Sequence, residues 1–407
     1  MLSALFDRLF KRTPSPERFA RLFIAAARKA GYRGELEFEP DEFRVSHDNG
    51  SFFNLHNAYH AYNKAGRAER DNVLQGFAST LMSAGATSDL DFEQARPLLR
   101  PIVRNRGMLE EIRLHHVHSE GWDKPYPMHY RPFGEDCMVL LAIDQPEATS
   151  TLTQGPPEAW GISLDEALAI ACTNLRDDTP DAFAEVAPGV FRGAWADAYD
   201  TSRVLLPDVL QRVAVRGRPV FMLPTRDVLL VSGDRDEAGL GHMLDLSHEA
   251  VNDGRCVSAL LYTYENSSIT TYEPEQAAHR QRRDDLRRLI EYGNYGMQKQ
   301  FLEKIHARNG HDIFVASYLL YELEADSGRT FSMCTWTRDV DTSLPHADRL
   351  VLVMPRNEEE ADTLVVGWEE AISVLGELLE PEHDMFPPRL LTRGFPSAEQ
   401  LARLTPL

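Results

Sequence analysis

The sequence predicts an α+β protein, with mixed and antiparallel sheets, flanking helices, a larger N-terminal domain and a smaller C-terminal domain. Three observations carry this. Apolar stretches that read as strands come in pairs joined by turn residues, as in 219–223 and 227–232 around Pro224-Thr225-Arg226. Stretches with helical periodicity sit beside these hairpins. No internal repeat marks a solenoid or propeller.

Taken in order, residues 1–12 read as a short amphipathic helix, with Leu2, Leu5, Phe6, Leu9 and Phe10 on one face and Arg8, Lys11 and Arg12 nearby. Thr13-Pro14-Ser15-Pro16 breaks it. Phe19, Leu22, Phe23, Ala26 and Ala27 mark a second helix over 16–30, and short strands follow over 35–45. Residues 55–85 read as one helical segment with Val73, Phe77, Leu81 and Met82 inward. From 100 to 130 the pattern is strand-like, including Ile102-Val103 and 112–114, and 136–143 is a buried strand. Ser163 and Glu166 have capping-box spacing and start a helix. Strand structure over 183–193 precedes a helix capped by Asp200, in which Pro207 kinks the helix or starts a new one. The hairpin of 219–232, a helix with Leu240, Met243, Leu244, Ser247 and Val251 inward, and a strand over 256–264 complete the larger domain. A polar stretch at 266–280 reads as a linker. Beyond it come a helix over 284–293, strands over 313–323, 329–336 and 350–354, and a helix carrying Trp368, Ala371, Ile372, Leu375 and Leu379. The expected organisation is therefore an N-terminal segment 1–16, a domain 17–265 that is whole or split into lobes near 130, the linker, and a domain 281–407.

Composition narrows the function. With 407 residues, 43% hydrophobic and 26% charged, the chain is globular in composition. No apolar run reaches the roughly 18–20 residues of a membrane span. The first eleven residues carry charge within their apolar pattern, unlike a secretory signal. Cys137, Cys172, Cys256 and Cys334 are dispersed, with no CxxC pair, which points to a reduced, cytoplasmic setting. A net charge of −20 disfavours nucleic acid as a partner.

Several constellations are candidates for chemistry. His56 and His60 are four apart on a helix and are either packing histidines or a metal-sharing pair; Asn57 stands where a zinc-protease base would be. On a strand, His116 and His118 of the run His115-His116-Val117-His118 would share a face. Asp227, Asp234 and Asp236 flank the hairpin as loop caps, without EF-hand spacing. Cys334 lies in an alternating strand and reads as buried and inert. The main candidate ligand site is Tyr199, Asp200, Ser202 and Arg203, with Asp227. An Asp at a helix start with a free Arg one turn on holds an anion or polar ligand, or else the two residues only cap and pair. No nucleophile elbow, phosphate-binding P-loop or dinucleotide fingerprint is present, and the sequence assigns no metal and no cofactor.

Four strings between about 100 and 264 carry a likeness: Pro101-Ile102-Val103-Arg104, Ala171-Cys172-Thr173-Asn174-Leu175, Ala198-Tyr199-Asp200-Thr201-Ser202-Arg203-Val204-Leu205 and Asp227-Val228-Leu229-Leu230. On these the region resembles the YtpQ-like family of bacterial proteins. The extension from about 275 and Pro207 depart from that pattern. The resemblance implies a cytosolic α+β protein and no particular substrate.

The expectation is a non-catalytic cytoplasmic module binding a protein or small molecule. Two alternatives stay open: a hydrolase-like enzyme with dispersed Asp, Arg and His residues, and a peripheral membrane adaptor acting through residues 1–12. Membrane contact is disfavoured because so few basic residues bind membranes weakly; a homo-oligomer stays open.

Overall fold

The computed structural model describes residues 14–40, 43–47, 51–86, 90–145, 148–252, 255–266, 268–324, 328–357 and 360–407. The expected helix at 1–12 lies outside them. The fold is α+β, with five mostly antiparallel sheets among the described residues. The chain divides into two compact units, one of Met1–Arg100, Leu141–Leu152 and Pro156–Asn174, the other of Pro101–Leu140, Thr153–Gly155 and Leu175–Leu407.

The first unit opens with α1 (Pro16–Ala30), started by Ser15, whose Oγ accepts from the Arg18 amide, and stopped by Gly31 at φ 108°. Of the residues the spacing places inward, Phe19, Phe23 and Ala27 are buried and Leu22 and Ala26 partly so, and Ala20 is buried as well. An antiparallel meander follows, β1 (Leu36–Glu39), β2 (Arg44–His47) and β3 (Ser51–Asn54). The single helical segment expected over 55–85 is two helices, α2 (His56–Lys64) and α3 (Arg70–Ala86). Ala65 turns extended at φ −67° and ψ 143°, and Gly66 follows, so the first helix ends there. Tyr59 and Tyr62 set their rings edge-on to Phe19 at 5.1 and 5.4 Å. The short α4 (Phe92–Ala95) is held by an Asp91–Gln94 capping box.

Next come β4 (Leu99–Asn105), α5 (Arg106–Glu120), β5 (Arg131–Phe133), β6 (Cys137–Gln145), β7 (Ala148–Leu152) and α6 (Leu164–Asp177). The strand expected around 112–114 is instead part of helix α5. Asn105 caps it by accepting from the Gly107 amide at 2.7 Å, and Leu109, Leu114 and Val117 form a buried helical stripe. Arg and His interrupt that stripe in sequence, which hides its period.

The second unit holds a six-stranded sheet in the order β13-β12-β10-β11-β9-β8. Its parts are β8 (Phe183–Ala187), β9 (Val190–Gly193), α7 (Pro207–Leu210) with Pro207 in its first turn, β10 (Pro219–Thr225), β11 (Val228–Gly233), α8 (Glu237–Val251), β12 (Leu261–Glu265) and β13 (Ser268–Tyr272). Leu240, Met243 and Leu244 of α8 pack on Val220, Met222, Leu230 and Leu261. The stretch 266–280 is not a bare linker: β13 pairs along β12 from Leu261↔Tyr272 to Glu265↔Ser268. The strand expected from Cys256 starts only at Leu261, and Cys256 itself makes an isolated bridge to Thr225.

The helix expected over 284–293 extends to 33 residues as α9 (Ala277–Asn309). After it come β14 (Phe314–Val315), β15 (Leu319–Glu322), β16 (Thr330–Thr337), β17 (Thr342–Pro345), β18 (Arg349–Pro355), β19 (Ala361–Gly367), α10 (Trp368–Leu375), β20 (Leu379–Pro381), β21 (Arg389–Thr392) and α11 (Ala398–Ala402). They form two four-stranded sheets, β14-β17-β21-β20 and β15-β16-β18-β19. Among the described residues no helix is long and apolar enough to cross a membrane.

Candidate functional site

The turn 199–203 is built differently from the sequence expectation. Asp200 has helical backbone angles, φ −49° and ψ −52°, and its side chain caps nothing; a 3-10 turn, Thr201–Leu205, follows. Its Oδ1 accepts instead from the Ala196 amide at 3.4 Å. Asp200 Oδ2 and Ser202 Oγ are buried without a hydrogen-bond partner among the described residues. Burial, with the nearby charge of Asp197, pushes the Asp200 carboxyl up, against the Ala196 hydrogen bond.

Arg203 is not a free cation. It is wholly buried, grips Asp197 through Nη1–Oδ1 at 2.9 Å and Nη2–Oδ2 at 2.6 Å, and donates from Nε to Thr179 Oγ1 at 2.9 Å. Its guanidinium lies 4.2 Å from the Trp195 ring centre. The fork is filled, so this residue holds the turn in place.

Tyr199 and Asp227 belong to a different group, gathered around Arg104, Arg226 and Arg255. Arg104 is near the end of β4, Arg226 is in the β10–β11 turn and Arg255 precedes Cys256. The backbone ties these segments together. The Arg226 amide donates to Arg255 O at 3.1 Å, and the Val257 amide to Pro224 O at 3.0 Å. Asn105 Nδ2 donates to Val257 O at 2.7 Å, and Thr201 Oγ1 to Arg226 O at 3.1 Å.

The guanidinium groups are poorly served. Arg104 Nη1 donates to the adjacent Val103 O at 2.8 Å. Arg226 Nη2 reaches, among the described residues, the thioether sulfur of Met108 at 3.2 Å, a weak acceptor. Among the described residues none of the three makes an ion pair. Burial, then the charge of Arg255, hold Arg104 down to about 10, against Asp227 and Tyr199. Burial, then Arg104 and Arg255, hold Arg226 down to about 9, against Asp227 and Glu111. Arg255 is more open to solvent, yet desolvation lowers it too, against Glu111 and Asp227. All three stay cationic at neutral pH. Among the described residues, the carboxylates Asp227 and Glu111 act on Arg226 against the like charges of Arg104 and Arg255, on a chain whose net charge is −20. Guanidinium forks match the oxygens of a phosphate or carboxylate group.

The sequence candidates therefore separate: Tyr199 and Asp227 join the arginines, whereas Asp200, Ser202 and Arg203 form the supporting turn. Arg104, Arg226, Arg255 and Glu111 escape sequence reasoning, because they are far apart in the chain and single arginines carry no motif. Arg104 and Asp227 do stand within strings singled out above, and Arg226 adjoins one.

The remaining candidates have ordinary partners. His116, now on helix α5, shares no strand face with His118; its Nε2 bonds Lys124 O at 2.8 Å. His115 sets its ring against Phe301 at 5.9 Å. The side chains of His56 and His60 lie outside the described residues. Asp234 binds the amide and Nε of Arg218, both at 2.8 Å, and Asp236 caps α8. Cys334 is fully buried and its thiol is pushed up to about 12 by burial. Among the described residues no group of His, Cys, Asp or Glu is placed to hold a metal ion. Compared with family models, with curated proteins and with solved structures, the chain matches none.

Proposed function

We propose that the protein is a non-catalytic binding module that takes a ligand bearing a phosphate or carboxylate group at Arg104, Arg226 and Arg255. The observation that carries this is the gathering of three arginines that repel one another and make no ion pair among the described residues. A fold gains nothing from holding like charges together in a partly desolvated place. A bound anion would relieve that cost, and Tyr199 and Asp227 would border it. Arg104, Tyr199 and Asp227 come from strings on which the likeness to the YtpQ-like family rests, so we take the site to be a property of that family. A cytoplasmic setting fits four dispersed cysteines that form no disulfide among the described residues.

The test is thermal unfolding of the full chain in sodium phosphate and in sodium citrate, against chloride at equal ionic strength. Binding at 100-fold above Kd adds about 2.7 kcal/mol of stability. Wild type should melt higher in at least one of the two anions, and Arg104→Gln/Arg226→Gln should lose the shift. Equal melting in all three salts defeats the reading.

A further inference from the structure

The sheet β15-β16-β18-β19 is apolar on both sides. Cys334, Trp336, Leu350, Leu352 and Val366 point inward, are fully buried and pack with Trp368, Ala371 and Leu375 of α10. The alternate positions form the other face. There Phe331, Met333, Val351 and Val365 are only partly buried, and Leu319 and Tyr321 on the edge strand are 38% and 45% exposed. Register sets them side by side: Leu319 opposite Met333, Tyr321 opposite Phe331, and Val351 opposite Val365. Tyr321 stacks on Phe331 at 5.6 Å. A sheet face open to water ordinarily alternates to polar residues. This one carries threonines and a single charged residue, Arg349, whose guanidinium sits 4.0 Å from the Phe331 ring centre.

We propose that this face docks a second copy of the chain, sheet against sheet, in a weak two-fold dimer. Charge selects the place. Each copy carries −20 and 63 acidic residues, yet no strand position on this face is a carboxylate. Two copies approach there without desolvating carboxylates, and the one cation on the face, Arg349, is set against the Phe331 ring. A two-fold axis makes the patch its own partner, and aligned sheets pack apolar faces about 10 Å apart. Size sets the strength. With strands about 4.8 Å apart and about 3.3 Å per residue, the footprint is roughly 450 Å² per copy. A standard interface takes about 800 Å² from each partner, so the dimer is transient and concentration-dependent.

Sedimentation velocity of the full chain from about 1 to about 200 µM tests this. Wild type should shift from monomer to dimer across the series. The shift should grow from about 0.05 to about 0.5 M NaCl, because salt screens repulsion between acidic copies. Tyr321→Lys, at an exposed edge position the fold tolerates, and Val351→Asp should both stay monomeric. Val186→Asp, at a 45% exposed position on β8 of the other sheet, should dimerise like wild type. If Val351→Asp fails to fold, Tyr321→Lys decides alone. A wild type that is monomeric throughout, or a dimer that survives Tyr321→Lys, overturns the proposal.

Discussion

Arg203 and Asp197 form a two-pronged ion pair in which the arginine is wholly buried and the aspartate is 39% exposed. That asymmetry predicts which partner matters more. Without Arg203, Asp197 can rehydrate; without Asp197, Arg203 is left charged and enclosed. Arg203→Ala should cost about 3 kcal/mol, the low end for breaking a buried pair because one partner reaches water. Asp197→Ala should cost at least as much. Urea unfolding of both single variants and the double variant checks this, with a coupling above about 1 kcal/mol expected. Burial alone would raise the Asp197 carboxyl, but hydrogen bonds from Arg203 and the Tyr199 amide, with the Arg203 charge, hold it below its ordinary value. Its contribution is therefore present above the usual carboxylate range and is lost as pH falls through the depressed value.

The arginine cluster should trade stability for binding. Removing one of three mutually repelling cations relieves desolvation and repulsion. Arg226→Gln should therefore raise the stability of the ligand-free protein, by about 0.5–1 kcal/mol on the scale of functional-site replacements. In phosphate or citrate the order should invert, because only wild type gains from the anion. Melting curves of both proteins with and without anion give the crossing. A variant less stable than wild type in chloride would mean that the cluster is held by favourable contacts.

His383 and Asp384 both adopt φ 48°, the left-handed region. The loop is fixed on either side by Glu382 N to Arg389 O at 2.9 Å and Met385 N to Glu382 O at 3.2 Å. His383 lies flat on Trp122, with centroids 3.8 Å apart and planes at 10°. Left-handed backbone costs most residues about 1–2 kcal/mol, and glycine avoids it while adding about 0.5–1 kcal/mol of unfolded-chain freedom. Asp384→Gly should therefore gain up to about 1 kcal/mol, whereas His383→Gly gives up a ring stack worth about 0.5–1.5 kcal/mol and gains nothing. Asp384→Val should lose stability. Thermal unfolding of the three variants distinguishes strain at the backbone from packing of the ring.

Local signals were read best where one residue type dictates one geometry. Ser163 and Glu166 bond reciprocally before α6, and Pro224 to Arg226 turn the hairpin. Helix α5 was misread because polar residues break its stripe, and β13 because Ser268 to Tyr272 are polar residues of an edge strand that gain their place only by pairing. The candidate site was half legible. Tyr199 and Asp227 stand out locally, but Arg104 lies more than a hundred residues before Arg226 and Arg255, and only the folded backbone brings them together. Residue type alone makes Asp200 a cap, and its observed backbone angles rule that out.

Asp136 receives Tyr262 OH at 2.6 Å and Ser258 Oγ at 2.8 Å, and both hydroxyls also contact each other at 2.9 Å. Burial pushes its carboxyl up; hydrogen bonds from Tyr262 and Ser258 oppose the shift without cancelling it. Burial, and then the Asp136 charge, raise the Cys137 thiol and Tyr262 hydroxyl in turn. With a raised folded value, the stabilising contribution is full below the unfolded carboxylate range and is lost as pH rises through the folded value. Rising pH therefore costs the fold stability at this group. Asp136→Asn keeps an oxygen for Tyr262 and removes the charge, so its stability relative to wild type should improve as pH rises from about 4 to about 8. Asp136→Leu strips both hydroxyls of their acceptor and should lose about 1–3 kcal/mol, with the Ser258–Tyr262 contact limiting the damage. Unfolding midpoints of the three proteins across that pH range are the measurement. Parallel curves for wild type and Asp136→Asn would show that the buried carboxylate carries no pH-dependent cost.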